Sequence, residues 1–250
     1  MSVDLIGNLK PAYKYLETLQ ENLLARGIEP ELPIKSLPEL NKRIWGIHRR
    51  KMTIISARPS IGKSSISIQI AFDLAKQGKK VVFLSLEMTS EDILERIFCN
   101  QAKINNIELL HGKFNQYKQQ FEDFKSMVKK LNFSISDCIG KNWKEVETVI
   151  NNLSVKPDAI FIDHINAIRV SNNAKTDIDD YLLNLYSLCK HNNLALIICC
   201  QINRDNQKDK NKTPQIHELK GSGNIEEMAD IIIMLHWPYK YDERENKNEY

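Results

Sequence analysis

Gly62, Lys63 and Ser64 stand together between two apolar patterns. Ile54-Ile55-Ser56-Ala57 before them reads as a buried strand, and Ile66, Ile70 and Leu74 after them recur at helical spacing. A strand, a tight turn and a helix N-terminus in that order make an anion site, because backbone N–H groups and the helix dipole converge on one point. The spacing is that of a phosphate-binding loop, G-x-x-x-x-G-K-[S/T], with Ala57 in the place of the first glycine. The stretch Ala57-Arg58-Pro59-Ser60-Ile61-Gly62-Lys63-Ser64-Ser65 would therefore wrap a triphosphate. In such a loop Gly62 lets the backbone approach the phosphates, Lys63 neutralises β and γ oxygens, and the Ser64 hydroxyl holds Mg2+. A triphosphate and Mg2+ are the ligands this loop is built to hold.

Three further polar residues close apolar runs. Asp163 follows Ala159-Ile160-Phe161-Ile162, Glu87 follows Val81-Val82-Phe83-Leu84-Ser85-Leu86, and Gln201 ends the most apolar run of the chain, residues 194–200. Hydrolysis of a γ-phosphate needs a carboxylate on the metal, a group that orients or deprotonates water, and positive charge at the transition state. Asp163 is the candidate for the metal, Glu87 for the attacking water and Gln201 for sensing the γ-phosphate. Each is also readable as an ordinary polar residue capping a strand.

These residues need a scaffold that brings strand ends together. Apolar runs over residues 52–56, 80–86, 132–136, 159–162, 194–200 and 230–235 alternate with helical patterns, which predicts an α/β fold with a mainly parallel sheet covered on both faces. Ligands on such sheets sit at the carboxyl ends of the strands, where all the candidates fall. Thr89 with Asp92, Asn142 with Glu145, and Ser36 with Glu39 read as helix-capping pairs. Residues 101–130, split by Gly112, read as a helical surface insertion, and residues 171–176 and 203–217 as polar loops, the latter carrying Lys208, Lys210 and Lys212. An amphipathic helix over residues 11–25, with Tyr13, Leu16, Leu19 and Leu23 on one side, precedes a Gly- and Pro-broken stretch over 26–33. The organisation expected is a linker helix and linker over residues 1–34 and one large domain over 35–250.

Composition narrows the class. With 42% hydrophobic and 27% charged residues among 250, the chain reads as a soluble globular protein, with no run long enough to cross a bilayer and no signal-peptide pattern at its start. A cytoplasmic setting is expected. A net charge of +3 permits nucleic-acid contact without arguing for it. Cys99, Cys138, Cys189, Cys199 and Cys200 include no C-x-x-C pair and read as buried reduced thiols.

Five strings in order then carry a resemblance: Ala57-Arg58-Pro59-Ser60-Ile61-Gly62-Lys63-Ser64, Ser85-Leu86-Glu87-Met88, Phe161-Ile162-Asp163-His164, Gln201-Ile202-Asn203-Arg204, and Glu218-Leu219-Lys220-Gly221-Ser222-Gly223-Asn224-Ile225-Glu226. From residue 37 to residue 235 the sequence resembles the C-terminal ATPase domain of replicative DnaB-type helicases. The resemblance implies a RecA-like core that assembles as a hexameric ring and hydrolyses ATP between subunits to move along single-stranded DNA. It implies phosphate binding at Lys63, Mg2+ contact through Ser64 and Asp163, a catalytic glutamate at Glu87 and γ-phosphate sensing at Gln201. It further implies DNA contact through Arg204, Lys220, Gly221, Ser222 and Gly223, docking of the linker helix on a neighbouring subunit, and primase or a helicase loader as partners.

Three departures accompany the resemblance. Lys220-Gly221-Ser222-Gly223 stands where the family commonly has Arg-Glu-Ser-Gly, so an acidic contact is missing. No counterpart of the family's large N-terminal domain is expected before Leu37, and the strand bearing the family's arginine finger is expected to lie beyond Tyr250. A finger accelerates phosphoryl transfer by orders of magnitude, so a chain without one is expected to bind ATP better than it hydrolyses it. The alternative reading is an ATP-binding assembly or loading factor related to the helicase but without unwinding activity; a RecA-like recombination or regulatory ATPase fits the Ser85 and Gly221 strings less well.

Overall fold

The computed structural model describes residues 12–24, 27, 29–168, 174–202, 213–219 and 223–238. Within them the apolar runs become strands β1 (Met52–Ala57), β2 (Val81–Ser85), β3 (Phe133–Asp137), β4 (Ala159–Asp163), β5 (Ala195–Gln201) and β6 (Ile231–Leu235). They form one six-stranded sheet in the order β3-β2-β4-β5-β1-β6. Every neighbouring pair is parallel, so all the strands end on the same edge. The helices are α1 (Lys14–Leu24), α2 (Pro38–Ile44), α3 (Lys63–Lys76), α4 (Ser90–Ala102), α5 (Asn106–Leu110), α6 (Lys118–Val128), α7 (Trp143–Asn151), α8 (Ala174–Asn192) and α9 (Gly223–Met228).

Side chains alternate between two helical layers, which is why the strands are apolar on both faces. Met52, Ile54, Ile160, Ile162, Leu196 and Ile198 join Val146 and Ile150 of α7, Leu182, Leu185 and Cys189 of α8, and Ile225 of α9 on one face. Ile55, Phe83, Phe161, Ile197 and Cys199 join α3, α4 and Phe124 of α6 on the other. Each fully buried aliphatic side chain there contributes roughly 1.5–3 kcal/mol of transfer free energy. All five cysteines are free and buried, as the spacing predicts.

The Thr89–Asp92 and Asn142–Glu145 capping boxes form as expected. Ser36 does not cap α2: the N-cap is Leu37, with a proline in the first turn, and the Ser36 N–H instead donates to the Asp73 carboxylate at 2.7 Å. A proline at the helix start leaves one fewer N–H to cap, and buried Asp73 on α3 offers the Ser36 backbone a charged acceptor. Gln77 adds a bond to Pro33 O at 2.9 Å, and Leu32 pairs with Ile47 as an isolated antiparallel bridge. Leu32 and Ile34, which the sequence assigns to the linker, are fully buried against the second core cluster. Gly46 is required at that turn, since a Cβ there would lie 2.7 Å from Leu32 O and from the Pro30 ring.

Residues 101–130 resolve into α5, a short 3₁₀ turn over Lys113–Tyr117, and α6, with Gly112 left-handed between them. They do more than decorate the surface: Phe121 and Phe124 pack on Phe98 with ring centroids 5.2 and 5.5 Å apart. Of the predicted polar loop over 171–176, Ala174 already begins α8 and residues 171–173 lie outside the described residues. The stripe Tyr13, Leu16, Leu19 and Leu23, along α1 and the turn before it, is exposed. No described helix is long and apolar enough to cross a membrane.

Candidate nucleotide site

At the carboxyl edge of the sheet, β1 passes directly into the loop and α3. Ala57 is the last residue of β1, paired with Gln201 on β5 and Leu235 on β6. Its backbone is ordinary strand, so no glycine is demanded at this position. Gly62 is different: it is the N-cap of α3 with φ +105°, a conformation that side chains bearing a Cβ rarely adopt. No side chain caps α3, so its leading N–H groups remain directed at the loop. A lysine at a helix N-terminus opposes the dipole, and that cost is set against what Lys63 meets across the sheet.

Lys63 Nζ donates to Asp163 Oδ1 at 2.5 Å, with the two side chains only 12% and 3% exposed. A pair this dry is costly to assemble and costlier to break on one side only. Behind it lies the buried Cys199 thiol, which burial and then the Asp163 carboxylate push up, so that it stays protonated.

The ends of β2 and β4 meet beside this pair. Ser85 is in register with Asp163, and the Leu86 N–H donates to Asp163 O at 2.7 Å. The Ser85 hydroxyl donates to Met88 O at 2.6 Å and accepts from Met88 N–H at 3.0 Å, clamping the turn that presents Glu87. His164 follows Asp163 across a cis peptide bond, and its Nδ1 approaches Glu87 Oε2 to 3.1 Å without hydrogen-bond alignment. Burial, and then the Lys63 charge, push the imidazole below its ordinary range against the opposing pull of Glu87 and Asp163. On the other side of β4, the Gln201 N–H donates to Asn166 Oδ1 at 2.8 Å, which fixes where β5 ends.

The sequence-derived candidates converge. A cavity of about 480 Å³ is lined by Ala57, Arg58, Pro59, Ser60, Gly62, Lys63, Ser64, Ser65, Glu87 and Gln201, together with Met88, Arg96 and His164. Asp163 lies beneath Lys63, and Ile61 belongs to the loop but does not line the cavity. Oxygen donors at Ser64 and Asp163 suit a hard divalent cation completed by phosphate oxygens. No motif in the sequence assigns a role to Arg96, His164 or Asn166. His164 is visible in the sequence as the neighbour of a recognised aspartate; Arg96 reaches the cavity from the second turn of α4, which only the packing of that helix determines.

Of the DNA-contact candidates, Arg204, Lys220, Gly221 and Ser222 lie outside the described residues, as do Lys208, Lys210 and Lys212, and Gly223 begins α9. Ile202 and Leu219 form an antiparallel bridge, so the points from which both segments continue are adjacent.

The sequence matches the model of the DnaB-like helicase C terminal domain over residues 34–250. The chain belongs to this family. A probable plasmid replicative DNA helicase of Chlamydia trachomatis is 32% identical over 191 residues, covering 73% of this chain and 42% of that protein. The replicative DNA helicase DnaC of Bacillus subtilis is 28% identical over 224 residues, 84% of this chain and 48% of that protein. The chain thus spans less than half the length of these curated relatives. Among solved structures, an isolated ATPase domain superposes with a TM-score of 0.81 at 22% identity, covering 96% of this chain and 89% of that one. A DnaB-like replicative helicase, described with its interactions with primase, gives 0.80 at 22% identity over 93% and 59%. The parallel six-stranded sheet of this DnaB-like chain is the RecA-like fold of those two structures.

Proposed function

We propose that this DnaB-like chain is the ATPase motor domain of a replicative DNA helicase, one that hydrolyses ATP at the interfaces of a hexameric ring in the cytoplasm and translocates on single-stranded DNA. The observation that carries the reading is the convergence of the Lys63–Asp163 pair, Glu87 and Gln201 on one cavity at the uncapped N-terminus of α3. The loop N–H groups and Lys63 bind the phosphates of ATP, holding the γ-phosphoryl group in line for attack. Ser64 and Asp163 would hold Mg2+, which would supply charge neutralisation for the triphosphate. Glu87 orients the attacking water and takes up its proton, and Gln201 reports the γ-phosphate to the β5 end and the chain that follows.

Arg204, Lys220, Gly221, Ser222 and Gly223 contact the DNA backbone through side-chain charge and backbone N–H groups. The exposed apolar stripe of α1 supports docking on a neighbouring subunit. A structural relative described with its primase supports primase, or a helicase loader, as a further partner.

The test is ATP turnover with and without single-stranded DNA for the wild type, Lys63→Ala and Glu87→Gln, with sizing in ATP to detect the ring. DNA-stimulated turnover that both substitutions abolish is the expected result. Tight ATP binding without turnover at high protein concentration would overturn the motor in favour of an ATP-binding loading factor.

A further inference from the structure

Just past the ends of β4 and β2, His164 and Glu87 each lie one residue beyond the bond from Leu86 N–H to Asp163 O. Strand register therefore brings the two side chains out side by side at the cavity. The His164 side chain is 12% exposed, and its Nδ1 is buried without a hydrogen-bond partner, 3.1 Å from Glu87 Oε2. A buried ring nitrogen left unpaired is unfavourable, whereas one bonded to a carboxylate is stabilised by the charge. Glu87 is in the opposite situation. Its side chain is 59% exposed, and its backbone is carried by the turn that the Ser85–Met88 bonds clamp.

We propose that His164 is a positioning residue for Glu87: the Nδ1–H donates to Oε2 and selects one rotamer of the glutamate, leaving Oε1 turned to the cavity for water. A small rotation about the Glu87 side chain aligns the 3.1 Å contact. His164 touches no reacting atom. Either protonation state of the ring can supply the Nδ1 proton, so the assignment rests on geometry. It depends on the reading of Glu87 as the residue that orients water. The consequence is that a phenyl ring of similar size cannot replace His164, whereas an asparagine, whose amide N–H₂ reaches close to the Nδ1 position, can.

The test is steady-state ATP turnover of His164→Phe, His164→Asn and Glu87→Gln. His164→Phe is expected to lower kcat by about 10- to 100-fold, the scale of a misaligned catalytic group. KM is expected to stay within about twofold, because only a transition-state interaction is lost. His164→Asn recovers most of kcat, and His164→Phe has no further effect in the Glu87→Gln background. Wild-type turnover by Glu87→Gln would overturn the reading of Glu87 and this inference with it. An inactive Glu87→Gln beside a fully active His164→Phe, or His164→Asn as impaired as His164→Phe, would overturn the positioning role alone. Nitrogen-15 NMR of the six histidines of the wild type gives a readout independent of turnover. A His164 ring protonated at Nδ1, with a resonance that Glu87→Gln shifts, is expected; the Nε2–H tautomer, or no response to Glu87→Gln, would overturn the proposal.

Discussion

Both edges of the sheet carry lysine or arginine paired with aspartate, and the two sets are built differently. At the amino edge Arg49 bonds to Asp158 and Lys51 to Asp230, and each carboxylate also accepts a backbone N–H, from Lys80 at 2.6 Å and Met52 at 2.9 Å. Their side chains keep partial access to water, up to 49% for Lys51. At the carboxyl edge Lys63 and Asp163 are nearly dry, with Lys63 lining the cavity and Asp163 beneath it. The first arrangement ties strand beginnings together and is satisfied as it stands. In the proposed function the second pair would exchange partners, Lys63 taking a phosphate and Asp163 a cation. Basic–acidic pairs thus fasten strand beginnings at one edge, while at the other the proposed function would have the pair give way to ligands.

Substitutions at matched positions test that contrast. The largest separation is expected between Glu87→Gln, which lowers turnover by about 10²- to 10⁴-fold while ATP binding persists, and any amino-edge substitution, which leaves turnover alone. Steady-state rates and equilibrium ATP titration measure it. Lys63→Ala is expected to cost about 10²- to 10³-fold in turnover and to weaken ATP binding as well, whereas Lys51→Ala, on a half-exposed lysine, changes stability by under about 1 kcal/mol. Equal losses of turnover in the two would break the comparison. Arg49→Ala is expected to lower stability by about 1–3 kcal/mol in urea unfolding with no change in ATP affinity, because it removes a charged hydrogen bond from half-buried Asp158.

Acid reads the fastening edge. Burial opposes the charge of Asp158 and Asp230, but the Arg49 and Lys51 hydrogen bonds and the backbone N–H donors outweigh it and hold both carboxyls below their ordinary range. A depressed folded-state pKa stabilises the fold above the unfolded value and loses that contribution as pH falls through the folded one. Thermal midpoints are therefore expected to drop as pH falls below the usual carboxylate range, and Asp158→Asn with Asp230→Asn to flatten the drop. The smallest effect concerns thiols. Burial pushes Cys189, which donates to Leu194 O at 3.0 Å near the amino edge, up to about 11, and also raises Cys199 behind Asp163. Mass spectrometry after alkylation at pH 8 should find neither labelled in the folded chain; labelling of Cys199 alone would show that the carboxyl edge opens.

The phosphate loop, the strand ends and two capping boxes were legible because each rests on local spacing that backbone geometry dictates. Ala57 reads as a defect only against a glycine pattern; in the sheet it is a strand residue between Gln201 and Leu235. Ser36 misled because Pro38 and buried Asp73, the second 37 residues away, decide its bonds. Leu32 and Ile34 read as linker because prolines surround them, yet Gly46 and the bridge to Ile47 fold them into the core. Arg96 depends on how α4 packs, and Asn166 and the contact between His164 and Glu87 depend on which strands become neighbours, through the β2–β4 and β4–β5 pairings.

The Ser85–Met88 clamp has a mechanical meaning. It is bolted to β2 on one side and runs directly into the capped start of α4 on the other, so the backbone of Glu87 is a fixed bracket rather than a hinge. In the proposed ATPase cycle, timing would then come from what approaches this bracket, since displacing a water or a side chain by an ångström would change the rate while the bracket itself stays still.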